Sequence, residues 1–177
     1  MYLNNPLRIF FILWAGLQIE AKRDLTIEIN QFITNVTDWQ LVKTANYYLY
    51  GTKTIFVDFV LSRNVNNFQL KVSVDMIRKD NRHMNVFKID TSGCEALKGT
   101  HDKMNLMRVV FREIFRVSNI PKKCPIIGNQ KYVINNYTLR GTDFPSFFPN
   151  LEFQIKIEFT VDNIPTATAI IKGTIRK

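Results

Sequence analysis

Leu151-Glu152-Phe153-Gln154-Ile155-Lys156-Ile157-Glu158-Phe159-Thr160-Val161 is the stretch whose reading decides the fold. Every second residue is large and apolar, and the residues between them are polar or charged. A period of two puts all six apolar side chains on one face of a strand, whereas a helix would scatter them around its axis. Asn163 to Pro165 then reads as a turn. Ala167, Ala169, Ile171 and Ile175 line one face of a last strand. The C-terminal end is therefore a pair of antiparallel strands with one apolar and one solvated face.

Working outward, Phe68, Leu70, Val72, Val74 and Met76 alternate in the same way with Gln69, Lys71, Ser73 and Asp75. The charged turn from Arg78 to Arg82 leads into another strand over His83 to Ile89, as in a hairpin. Leu25, Ile27 and Ile29 open the series, and Asn35 to Lys43 reads as a polar loop. Tyr47–Tyr50 and Thr54–Leu61 are strand-forming, with a turn at Gly51 and a second turn over Asn64–Asn67. Tyr132 to Leu139 adds one more strand. Only one segment follows a helical period. Met104, Met107, Phe111 and Ile114 share a stripe, with Asp102 to cap the start and Pro121 to forbid continuation, which predicts a helix near residues 102–117. About seven strands and one helix predict an all-β chain folded as an antiparallel, immunoglobulin-like β-sandwich.

The chain has 177 residues, enough for one domain with a real core. With 46% hydrophobic and 22% charged residues, wholesale disorder is excluded. The formal charge of +9 admits anionic partners, but the cations are scattered. No basic helix run, finger or RNA-binding strand motif accompanies them, so nucleic acid is not an expected partner.

Leu7 to Leu17, LRIFFILWAGL, carries a single cation, Arg8, at its start and resembles the apolar core of a secretory leader. It is shorter than the ~20 residues that span a bilayer. Residues 1–21 are expected to be a signal peptide cleaved near Ala21, a retained anchor being the competing reading, and 22–177 a single sandwich domain. Cleavage removes one cation, Arg8, and one anion, Glu20, and leaves +9. Asn35-Val36-Thr37 and Asn136-Tyr137-Thr138 are N-glycosylation sequons, which suit a secreted, extracellular glycoprotein. In that compartment the only two cysteines, Cys94 and Cys124, are expected to pair; two free thiols are the alternative if the leader is not one.

A sandwich with bulky inward faces either closes into a solid core or parts around an apolar ligand. Phe68, Val72, Met107, Phe111, Phe153, Ile157 and Phe159 are the candidates for a ligand lining, and plain core is their ordinary role. The loop Phe144-Pro145-Ser146-Phe147-Phe148-Pro149 is the alternative site, an aromatic contact surface for a membrane receptor or channel. No catalytic motif stands out, so an enzyme is not expected. His83, Cys94 and His101 match no zinc spacing, and neither a metal nor a cofactor is expected.

Cys94-Glu95-Ala96-Leu97, the helix, Ser118-Asn119, Cys124-Pro125 and then Pro149-Asn150-Leu151-Glu152-Phe153 together resemble a group of secreted insect proteins of unknown function. The group includes the CheB-like chemosensory proteins, and the resemblance covers roughly residues 54–177. These are similar in outline to the ML lipid-recognition and ganglioside-activator proteins. That resemblance implies a β-cup holding a lipid or other hydrophobic small molecule, with a role in chemosensation. Such proteins often carry further cysteines, and this chain has two.

Overall fold

A computed structural model describes residues 25–78, 80, 82–98, 105–143 and 149–177, with side chains omitted for 105–109 and 143. Residues 1–21, expected to be a secretory leader, and most of the Phe/Pro loop thus lie outside the described residues. Among the described residues there are eight strands: β1 Thr26–Val36, β2 Val42–Tyr50, β3 Thr54–Leu61, β4 Gln69–Ile77, β5 His83–Ser92, β6 Lys131–Thr138, β7 Leu151–Val161 and β8 Ile164–Arg176. Two helices, α1 Gly93–Lys98 and α2 Asn105–Arg116, lie between β5 and β6.

Every pairing is antiparallel, in two sheets of order β1-β8-β7-β4-β5 and β2-β3-β6. The alternation that predicts the strands sets their register. Phe153, Ile155, Ile157 and Phe159 on β7 pair with Met76, Val74, Val72 and Leu70 on β4, so the two apolar rows share one face. On the other side they meet Gly173, Ile171, Ala169 and Ala167 of β8. This face meets the small sheet in a core of Leu25, Ile27, Ile29, Phe153, Ile171 and Ile175 against Ile55 and Tyr137. The expected all-β sandwich is the observed architecture.

Several boundaries differ from the sequence reading. The polar 35–43 segment is not all loop: β1 continues to Val36 and β2 begins at Val42, because backbone pairing with β8 and β3 carries polar side chains along on the solvent side. The β7–β8 turn falls on Asp162 and Asn163, both with positive φ, as a tight twisted hairpin needs. Pro165 lies within β8, near its start, where its missing N–H costs least. The second helix α1 has six residues, too few to show a helical period.

Both sheets are open, and each of the four edge strands carries an extra residue. The register skips Asn30 in β1, Val86 in β5 and Lys43 in β2, and β6 spends two residues opposite Phe56, with Asn136 at φ 59°. Bulges at all four edges twist the free N–H and C=O rows away from a flat template, a device that discourages edge-to-edge aggregation.

Candidate ligand-binding face

A five-stranded sheet faces a three-stranded one, so part of its apolar face needs another cover. That part is formed by β4, β5 and β7, where Val72 stands between Ile89 and Ile157, and Val74 between Phe87 and Ile155. The cover is α2. Its residue Phe111 packs on the cluster of Leu70, Val72 and Ala96, while Val110 and Ile114 reach the main core. Phe115 packs on a third cluster, of Leu41, Val42, Leu61, Val65, Leu97, Ile126, Tyr132 and Val161. One amphipathic helix therefore touches all three apolar clusters.

The helix is held at its C-terminal end. Glu113 accepts from Arg116 Nε at 2.8 Å and Nη2 at 2.6 Å, and from Arg140 Nη2 at 3.2 Å beyond β6. Hydrogen bonding to Arg116, reinforced by the charge of Arg140, keeps the Glu113 carboxyl below its usual pKa despite partial burial. Past the helix, Val117 O accepts from Asn135 N, and the Asn119 side chain pairs with β6 through Lys131 O at 2.9 Å and Val133 N at 2.7 Å. This pairing accounts for the helix ending at Arg116, before Pro121 forbids it. Cys94 and Cys124 are joined, Cα to Cα 5.5 Å, so α1 is tied to the segment leading into β6.

Of the seven lining candidates, Val72, Ile157, Phe159, Phe111 and Phe68 meet in or against one cluster. Phe153 belongs to the main core at the other end of β7, next to Gly173. Met107 falls within α2, and its side chain lies outside the described residues. Leu70, Phe87, Ile89, Ile155 and Ala96 join the same cluster without having been candidates. Leu70 and Ile155 share their strands' alternation with Val72 and Ile157, a signal open to sequence reading. Phe87 and Ile89 required the β4–β5 register.

This cluster is less closed than the others. Phe68, Phe87, Ile89, Phe111, Ile155, Ile157 and Phe159 are all half-buried, although most lie on the inward face of the large sheet or on the helix above it. The same transverse row that holds Ile157 and Val72 ends on β1 in Thr34, by way of Ala169. Thr34 Oγ1 is enclosed and hydrogen-bonds to no protein group. An apolar surface with one unsatisfied hydroxyl at its far end offers dispersion contacts plus a single polar point.

Other functional candidates are placed as follows. Asn35 and Asn136 are both exposed; Thr37 of the first sequon donates to Pro165 O at 2.6 Å. His83 Nδ1 lies 3.9 Å from Asp75 on the solvent face of β4–β5, and His101 is outside the described residues. Among the described residues, no group of three or more His, Cys, Asp or Glu is arranged to hold a metal ion. No described helix is long and apolar enough to cross a membrane.

Residues 67–155, half of the chain, match the family described as "Protein of unknown function (DUF1091)". The chain belongs to that family. No curated protein matches it. The DUF1091 segment runs from just before β4 through the disulfide and both helices to the first half of β7. It is narrower than the 54–177 resemblance and contains nearly all of the half-buried cluster, with Ile157 and Phe159 just beyond it.

Proposed function

We propose that this DUF1091 protein is an exported, glycosylated binder of a lipid or other hydrophobic small molecule. The ligand would lie between α2 and the β4–β5–β7 face. One observation carries the reading: around buried Leu70, Val72 and Ala96 most of the apolar residues of that face are only half-buried, a larger share than in the main core of the same sheet. A face of Phe, Ile and Val rings and branches gains roughly 25 cal/mol for each Å² it removes from water. A flexible acyl chain or terpenoid laid under α2 would supply that cover. Thr34 then suits a ligand with one hydroxyl, carboxyl or ester end. The resemblance to CheB-like and ML-type proteins supports the same reading and suggests a chemosensory setting. The sequons and the cysteine pair favour export.

The test is native mass spectrometry of protein secreted from a eukaryotic host and purified without detergent, followed by organic extraction. A stoichiometric apolar adduct is expected, lost in Ile157→Trp, which fills the face with a larger ring. Bare polypeptide, together with no displacement of an environment-sensitive dye by fatty acids, refutes the proposal.

A further inference from the structure

Odd-numbered strands finish, and even-numbered strands begin, at one end of the sandwich. Three large apolar side chains stand out there, Trp39 and Ile127 from two connections and Ile164 from the first position of β8: Trp39 is 61% exposed, Ile164 54% and Ile127 43%. We propose that this end docks on an anionic lipid bilayer, with Trp39, Ile164 and Ile127 entering the headgroup layer.

The connections are bound to one another. Thr37 N donates to Thr166 O at 2.9 Å, which joins the β1–β2 connection to the start of β8. Arg63 pairs with Asp162, joining the segment after β3 to the β7–β8 turn. Val65 and Ile126 exchange two backbone hydrogen bonds at 2.9 Å, and Gly128 N donates to Asn64 Oδ1. Lys43 Nζ donates to Asn129 Oδ1 and closes the set. The tips are also internally satisfied. Asp38 Oδ1 accepts from Gln40 N and Leu41 N, both at 3.1 Å, and Ile127 N donates to the Tyr132 hydroxyl at 2.9 Å. Backbone groups that already have partners can leave water at little cost, which an interfacial surface requires.

Charge selects the occupant. Arg63 and Lys98 at this end are matched by Asp162 and Glu95, and Asp38 beside Trp39 adds one carboxylate, bound by the Gln40 and Leu41 N–H groups. Lys43, Lys122 and Lys123 have no carboxylate partner among the described residues, within a chain of net charge +9. An indole and two branched alkyl groups, with three lysines on the same end against the one carboxylate of Asp38 outside the ion pairs, match the headgroup level of an anionic membrane, where Trp and Lys are both favoured. Docking there would bring the cluster under α2 near a source of hydrophobic ligand, but it does not depend on that cluster being occupied.

Trp14 and Trp39 are the only tryptophans, so secreted protein carrying Trp14→Phe reports on Trp39 alone whether or not residues 1–21 are removed. The probes are vesicles of phosphatidylcholine with and without a quarter phosphatidylserine, some brominated on the upper acyl chain. With the anionic vesicles, Trp39 emission should shift to the blue and be quenched by the bromines. Trp39→Ala with Ile164→Ser should weaken vesicle partitioning on the order of 10-fold or more. Lys122→Glu with Lys123→Glu should weaken it for anionic vesicles only, and added salt should do the same. Tyr50→Ser and Met84→Ser, on exposed residues elsewhere, should leave it unchanged. Trp39 emission that stays constant on vesicles overturns the proposal, even if the protein sediments with them through another segment. Partitioning insensitive to the Trp39 and Ile164 changes also overturns it. Neither result bears on the adduct sought by mass spectrometry.

Discussion

Replacing Gly173 by Ala should destabilise the protein far more than one methyl group suggests. Gly173 sits mid-strand in β8, between Phe153 of β7 and Ile29 of β1, beside the Asn30 bulge. A Cβ built there lies 2.4 Å from the Glu28 carbonyl oxygen and 2.6 Å from the Phe153 ring. The ring can turn, but the carbonyl belongs to the backbone of a paired strand. Moving it by about an ångström disturbs one or two ladder hydrogen bonds, at ~1 kcal/mol each. Overpacking adds ~1–3 kcal/mol, and the gain of Ala over Gly in a strand returns ~0.5–1 kcal/mol. The net loss is about 2–3 kcal/mol, or roughly 5–10 °C in Tm for a chain of this size. Urea unfolding followed by circular dichroism measures it, with Gly51→Ala as a control. Gly51 has φ 60° and open space around its Cβ, so only local strain of about 1 kcal/mol applies. Adding Phe153→Leu to Gly173→Ala should restore part of the loss but not the carbonyl share. A Gly173→Ala protein as stable as the parent would mean that the bulged β1 does not lie over β8 as described.

Three further outcomes follow from the same geometry. Replacing both cysteines by Ser should cost about 3–4 kcal/mol in the chain-entropy account, given their separation of 30 residues, and reductant should lower the parent to the same unfolding midpoint. Because the Glu113 carboxyl has a lowered pKa when folded, its contribution is present at neutral pH. That contribution is lost as pH falls below the ordinary glutamate value of 4.5 through the folded one. Glu113→Gln should therefore be less stable at neutral pH and show a shallower acid limb, whereas an unchanged limb would remove Glu113 as the α2 tie. Asp58 is buried on the outer face of the small sheet, accepting from Asn46 Nδ2 at 3.0 Å with Lys131 Nζ at 3.4 Å. Asp58→Ala should cost ~1–3 kcal/mol through loss of the charge-assisted hydrogen bond and ion pair of a buried carboxylate, with little further loss when Asn46→Ala is added, since Asn46 is exposed to water.

The strands were largely legible because strand periodicity is a local property. The alternation over Leu151–Val161 and Phe68–Met76 assigns each side chain to a face before any partner is known, and the register agrees with it. The helix was legible for the same reason. Segments whose structure comes from partners were not. β1 past Ile29 loses its alternation at the Asn30 bulge and is recognised as strand only because β8 runs beside it. The short helix α1 begins where Gly93 N donates to Phe68 O, with no room for a Cβ beside the Phe68 ring. The candidate site was half legible. Val72, Ile157 and Phe159 share a face by alternation, but Phe153 falls in a different cluster. That division depends on which strand ends the small sheet covers, and no local pattern encodes it.

Sequence alone therefore determined the two-layer β class, the strand faces, one helix and the only possible disulfide pair, since each depends on residue spacing or on a count. Tertiary structure alone decided how the unequal sheets meet, that α2 covers the uncovered strands, and that Trp39, Ile127 and Ile164 share one end. These are contacts between residues far apart in the chain. Burial and exposure there depend on what lies across the gap, which spacing along the chain cannot carry.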